Sequence, residues 1–381
     1  MLTSAIHDEF AGAPGTALWD YHGTAANSGG KLLIDPTVPG ASNGIITRSV
    51  YDLDQLVFDL DGLPFPNGAC GLLLELTTAA SMTGESDRLF LRVDQEMPGA
   101  ANTGHTGTPT ALTAANRPYL ADIISGTTLS VNTNGAVYTG WKFNHQVDVK
   151  ASGVVFDNCW FAGSATAGIP ALLRVETGAG RSATATSCTM SPAFPNNSTD
   201  GVRGSNLTLL RCDINGTVDG GQIYGSLSNR SDPYAGNILV ADCWVHDMVF
   251  YANDPGGRPE GTHNDGFQIS GGRNIEFRGN TFSGEQRNAV WMVTQASNPI
   301  SDLRILGNFI DATAASGLNL NDTPGTGPVT GLRMVGNMFT KTNQTYPILV
   351  TLRTINSGGP VVSGNVWHDG STPPPAIRPG G

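Results

Sequence analysis

Eight segments of the last two-thirds of the chain share one pattern of apolar and polar positions: SGVVFDNCWFAG (152–163), RSATATSCTMSP (181–192), SNLTLLRCDING (205–216), GNILVADCWVHD (236–247), RNIEFRGNTFSG (273–284), SDLRILGNFIDA (301–312), TGLRMVGNMFTK (330–341) and GGPVVSGNVWHD (358–369). One position in every copy is Cys or Asn: Cys159, Cys188, Cys212, Cys243, Asn280, Asn308, Asn337 and Asn365. Two residues later the side chain is always apolar, and the positions five and three residues earlier are apolar or small. Inward residues of a strand share parity, yet parity changes between the third residue before the Cys/Asn position and that position itself. A bend must fall there, and Gly279, Gly307, Gly336 and Gly364 stand at it.

Each copy is therefore two short strands joined by a sharp turn, too small to bury its own apolar face. The copies recur at steps of 24 to 37 residues, and stacking them gives every apolar side chain a like neighbour about 4.8 Å away. The prediction is an all-β chain dominated by a right-handed parallel β-helix over 119–370, with three sheets and one internal Cys/Asn column. A buried Asn can hydrogen-bond along such a column, and a free Cys fills the same slot as a small apolar side chain. The four cysteines are thus expected to be buried, reduced thiols, and no metal site is expected from them.

Residues 1–96 lack the ladder pattern. Their runs KLLIDP, GIITRSVYDL, QLVFDLDG, CGLLLELTT and DRLFLRVD, separated by turn residues, predict a small antiparallel sandwich-like module. Residues 97–118 read as a Gly-, Ala-, Thr- and Pro-rich linker, and YLADIISGTTLSVNTNGAVYTGWKFNHQVDVKASG as the cap and first rungs. The prolines of the tail, 371–381, are expected to keep it from extending a sheet.

Composition agrees with this picture. Forty-nine glycines and 14% charged residues suit tight corners and not helices, and a net charge of −11 argues against a nucleic-acid partner. No apolar run approaches the roughly 20 residues that cross a bilayer, so no membrane insertion is expected. The start, MLTSAIHDEF, lacks the features of a secretion signal: either a leader has been removed or the protein leaves its cell by another route.

Candidate chemistry lies between ladder copies. Asp219-Gly-Gly-Gln222 and Asp265-Gly-Phe-Gln268 repeat one word in neighbouring coils, which places the two carboxylates one rung, roughly 5 Å, apart if the strands are in register. That is the separation of a retaining glycosidase pair, and like-charge repulsion there would raise one pKa. Asp265, Asp219 and His263 are the catalytic candidates. Gln222, Gln268, Tyr251, Arg287, Asn288 and Trp291 are the substrate-binding candidates, because amides pair with sugar hydroxyls and aromatic faces stack on sugar rings. Two long excursions, 226–236 and 248–264, flank the same coil. The plainer alternative stays open: Asp-Gly at the start of a strand is good turn chemistry, with the Asp capping its own backbone. On either reading Asp265 is expected to be exposed, and His246 to be a surface residue.

The solenoid resembles the pectate-lyase-like superfamily of β-helices. HNDGFQISGGRNIEFRGN resembles the Asn-Thr-Asp-Gly-Ile-Asp strand of the polygalacturonase family at Asn264 in part, Asp265 and Gly266. The next coil, EQRNAVWMV, departs from that family's Asp-Asp pair, and the calcium aspartates of pectate lyases match no motif here, so no cofactor is expected, with calcium left open as the one alternative. The order of parts, DEFAGAPGTAL and a β-rich block followed by SGTTLSVNTNGAVYTGWKFNHQVDVKASGVVFDNCWF, is similar to minor tail proteins of actinobacterial phages. That resemblance implies a virion tail location, a host surface glycan that is bound or cut, other tail proteins as partners of the N-terminal module, and leaves a homotrimer open. A secreted polysaccharide lyase or hydrolase is the alternative.

Overall fold

A computed structural model of the chain describes residues 97–380, apart from 166–168, 177, 179, 225–235, 285, 287, 296–298, 323–328, 342–345 and 357–358, together with seven strands within residues 1–96. Those seven strands pair antiparallel, Ser4–His7 and Ala25–Ser28 with Lys31–Ile34, Trp19–His22 with Gly44–Thr47, and Leu72–Leu76 with Asp87–Leu91. The predicted sandwich arrangement rests mostly on residues outside the described set. Compact units divide at Gln95 and Glu96.

From Thr110 to Gly380 the chain is a parallel β-solenoid of the right-handed type, whose sheets hold nine, ten and eleven strands among the described residues. In each coil the first sheet takes the strand before the ladder position, the second sheet the strand after it, and the third sheet the strand that closes the coil. Thus Leu207–Leu210, Asp213–Asn215 and Gly221–Ile223 make one coil, and Gly236–Ala241, Trp244–His246 and Phe267–Ile269 the next. The alternation Leu207/Leu209 inward and Thr208/Leu210 outward is what lets each rung seal the one before it.

All eight ladder residues are buried in one column. The Asn280 amide nitrogen donates to Val240 O (2.9 Å) and to Asn308 Oδ1 (2.8 Å), and its backbone N–H donates to the same oxygen (3.0 Å). Asn308 repeats this on Asn337. The cysteines are free thiols, as expected, and make longer sulfur contacts such as Cys212 N–H to Cys243 Sγ (3.3 Å). The bend precedes the ladder in every coil. Its left-handed residue is Gly279, Gly307, Gly336 or Gly364 in the asparagine coils, but Asn158, Ser187, Arg211 or Asp242 in the cysteine coils.

Two expectations are corrected at the ends. Residues read as a free linker form a strap along the cysteine coils: the Gly104 N–H donates to Arg211 O (3.0 Å), His105 meets Thr189 Oγ1 (2.7 Å), the Thr106 N–H donates to Asn158 Oδ1 (2.7 Å), and Thr110–Ala111 pairs with Trp141–Lys142 in the second sheet. A Cβ on Gly104 would sit 2.7 Å from Thr189 Oγ1, so the strap lies flat only because Gly stands there. At the other end Ile377–Gly380 pairs with Tyr346–Thr351 as the last strand of the third sheet. Pro379 is tolerated because this is an edge strand, where a missing N–H leaves no ladder partner unmet.

Candidate functional site

The third sheet is in register where the sequence repeats its Asp-Gly word. Gln222 pairs with Gln268 and Arg203 with Gln222, which aligns Asp219 with Asp265 and, one rung earlier, with Asp200. Asp200 and Arg203 escaped the sequence reading, although Asp200-Gly201 is a third occurrence of the same word. The result is a column of three carboxyl groups, each at most 5% exposed.

The glycines explain the spacing. A Cβ on Gly201 would lie 2.5 Å from Gly220 O, and one on Gly220 would lie 2.3 Å from Gly266 O, so only glycine lets these rungs close on one another. Each aspartate then turns one oxygen onto the N–H of the next rung. The Asp265 N–H donates to Asp219 Oδ1 (2.9 Å) and the Ala289 N–H to Asp265 Oδ1 (3.1 Å). The expected turn cap on the residue's own backbone is therefore replaced by a cap between rungs, and Asp265 is buried where exposure was expected. The second oxygens meet side chains: Asp200 Oδ2 accepts from Arg203 Nε (2.6 Å) and Asp219 Oδ2 from Gln222 Nε2 (3.4 Å).

Burial dominates the electrostatics. Desolvation, with the Asp219 charge added, pushes the Asp200 carboxyl up to about 8 despite Arg203. The Asp219 carboxyl rises to about 6, again through burial, with the Asp265 N–H, Gln222 and Arg203 holding it down. Burial and then Asp219 push Asp265 well above the usual carboxylate range. Asp219 is thus the first of the pair to ionise and its charge favours the proton on Asp265, the division of labour that an acid and a base or nucleophile require.

A pocket of about 220 Å³ opens over this column. Its floor is Asp200, Asp219 and Asp265, flanked by Arg203, Gln222 and Gln268; its roof is the 254–263 segment with Asp254, Arg258 and His263. The excursion is closed at its neck by the Tyr251–Thr262 backbone pair (2.9 Å) and held on its outgoing arm by Asn197 Nδ2 on Asn253 O (2.8 Å). Asn264 anchors the return, donating to Val218 O (2.9 Å) and Val249 O (2.7 Å).

The candidates fare unequally. Asp219, Asp265, His263, Gln222 and Gln268 come together in the pocket, with His263 at 3.2 Å from Glu260 on the roof. Tyr251 serves the neck through its backbone, and Asn288 turns its amide toward Asp265 from outside the pocket lining, without a hydrogen bond of ordinary geometry. Arg287 and the 226–235 part of the other excursion lie outside the described residues. Trp291 is corrected: it pairs with Phe267, shares its inward parity, and is fully buried edge-on to Phe277 and Phe282, so it offers no face to a sugar. His246 is also corrected. It is 8% exposed, lies flat on Trp244 and bridges Asp213 (3.0 Å) and Asp247 (2.7 Å).

Among the described residues no three His, Cys, Asp or Glu side chains converge as metal ligands, and no helix is long and apolar enough to cross a membrane. No protein-family model, curated protein or solved structure gives a significant match to this chain.

Proposed function

We propose that the chain is a phage tail protein whose β-solenoid meets a host surface polysaccharide and hydrolyses it in the pocket over Asp219 and Asp265. One observation carries the catalytic part: two carboxyl groups one rung, about 4.8 Å, apart on the floor of a polar pocket, where the charge of Asp219 favours the proton on Asp265. Asp265 is the proton donor to the leaving oxygen, and Asp219 is the nucleophile or base on the other side of the bond. A separation this short leaves little room for water between the carboxyls, which favours retention of configuration. Gln222 and Gln268, aligned on successive rungs, supply amides for sugar hydroxyls. The tail assignment is supported by the order of parts, an N-terminal strand-rich module followed by a solenoid with buried thiols that suit assembly in a reducing cytoplasm.

Asp265→Asn tests the catalytic reading. The amide keeps an oxygen for the Ala289 N–H, so the rung contact survives while the transferable proton is lost. Release of reducing ends from a polysaccharide that the protein cuts should fall at least about 100-fold, with binding retained. Unchanged cleavage, or cleavage that yields unsaturated uronates instead of reducing sugars with both ends saturated, overturns the assignment.

A further inference from the structure

Among the described residues, the guanidinium groups that line the pocket are already answered from within the protein. Arg203 donates to Asp200 at 2.6 Å with its charge set against that of Asp219, and Arg258 pairs with Asp254 at 3.4 Å. One rung away, Arg174, in line with Arg203, lies against Asp148 and Glu176, and the same Glu176 takes Arg181 (2.8 Å) and Lys150 (3.7 Å). The remaining titratable roof residue, His263, faces Glu260. Four carboxyl groups, those of Asp200, Asp219, Asp254 and Asp265, thus share the pocket with two guanidinium groups, each with a partner.

A sugar carboxylate that entered would give up its water, meet no guanidinium among the described residues that lacks a carboxyl partner, and stand beside the ionised Asp219. The loss of hydration would go uncompensated. A sugar hydroxyl fares differently. It exchanges water for the amides of Gln222 and Gln268 or the carboxyl oxygens at little net cost, because each can act with a neutral donor or acceptor.

We infer, resting on the reading of this pocket as a glycan-cleaving site, that the glycan it accepts is uncharged and not a uronate polymer. The full chain is run by affinity electrophoresis through gels containing galactomannan, arabinogalactan or β-glucan, and through gels containing polygalacturonate, alginate or hyaluronate, at low and at high salt. Retardation by at least one neutral polymer, about tenfold stronger than by any uronate polymer and insensitive to salt, is the expected result. Strongest retardation by a uronate polymer, weakening as salt rises, overturns the uncharged-substrate inference and leaves the glycan reading standing. Retardation by neither class counts against both, and cleavage assays on the same six polymers then separate a weak binder that still cuts from a protein that does neither.

Discussion

The coils that carry cysteine in the ladder and the coils that carry asparagine solve one problem in two places. Every rung needs side-chain oxygens that tie it to the next. In the asparagine coils the tie is at the bend, where each amide accepts from a backbone N–H and donates to a carbonyl of the adjacent rung. In the cysteine coils the ladder thiols make long sulfur contacts, the Cys243 N–H reaching the Asn280 oxygen at the junction (2.9 Å), and a further tie appears across the coil, as the aspartate column on the third sheet. The difference is chemical. An amide donates and accepts and stays neutral, whereas a carboxyl group accepts, titrates and can hold a proton. The half of the solenoid with the chemically capable tie is also the half with the pocket.

The largest effect that separates the halves is expected with pH. Two aspartates of the column have folded-state pKa values above the ordinary 3.8, Asp219 at about 6 and Asp200 at about 8. Below about pH 3.8 folded and unfolded chains hold the same protons there. As pH rises the unfolded chain releases them first, so stability falls through about 6 and about 8 and then levels. Urea midpoints should therefore drop between pH 5 and pH 8.5, and Asp200→Asn should flatten the upper part of that drop. A midpoint that rises over this interval, or a slope unaltered by Asp200→Asn, would falsify the column as a coupled, protonated set. The asparagine bend, with no titrating group, has no such term.

The next effect contrasts the two ladders directly. Asn308→Leu keeps the volume but strips acceptors from the Asn280 N–H and amide and a donor from Phe277 O, all buried. Two or more orphaned groups at about 1–3 kcal/mol each predict a loss of roughly 2–5 kcal/mol. Cys212→Ala removes one sulfur and contacts of 3.4–3.5 Å, for about 1 kcal/mol. Chemical denaturation of both variants decides it: equal losses would mean that the asparagine ties contribute no more than the thiols.

How much of this was legible beforehand follows from the physics of each element. The ladder was readable because Cys or Asn recurs at a fixed place against a parity change, and the structure keeps all eight in one column. The bend was readable at Gly279, Gly307, Gly336 and Gly364; Asn158 and Asp242 carry only the weaker left-handed preference of Asn and Asp, and Ser187 and Arg211 carry none. The strap was read as a linker because its Gly and Thr composition is the same whether it is free or laid flat; what orders it are partners far along the chain, such as Asn158 and Arg211. Trp291 was chosen for its chemistry, when counting parity from Phe267 would have sent it inward. Asp200 was missed because its Asp-Gly pair is followed by Val-Arg and lacks the glutamine that Asp219 and Asp265 share, and the burial that shifts all three carboxyls is a property of the stacked rungs, invisible in any one of them.

The smallest effect tests why the bends differ. Arg211 holds φ at 51°, a conformation that costs a side-chain-bearing residue about 1 kcal/mol or more, while glycine adopts it freely. Its hydrogen bonds there are made by backbone: the amide donates to Ala241 O (3.0 Å) and the carbonyl accepts from Gly104 of the strap (3.0 Å), so both survive replacement. Arg211→Gly should therefore stabilise, by about 0.5 kcal/mol once the greater freedom of glycine in the unfolded chain is set against the relieved strain. Gly336 stands at the equivalent bend with φ at 65° and open space where a Cβ would go, so Gly336→Ala meets no neighbour and carries the backbone cost alone, a loss of about 1 kcal/mol. Opposite signs in the two halves, read as shifts in melting temperature, are the expected outcome. If Arg211→Gly destabilises as well, the arginine stem contributes packing that outweighs its strain, and the cysteine coils keep side chains at their bends for the bend itself and not for the strap that lies across them.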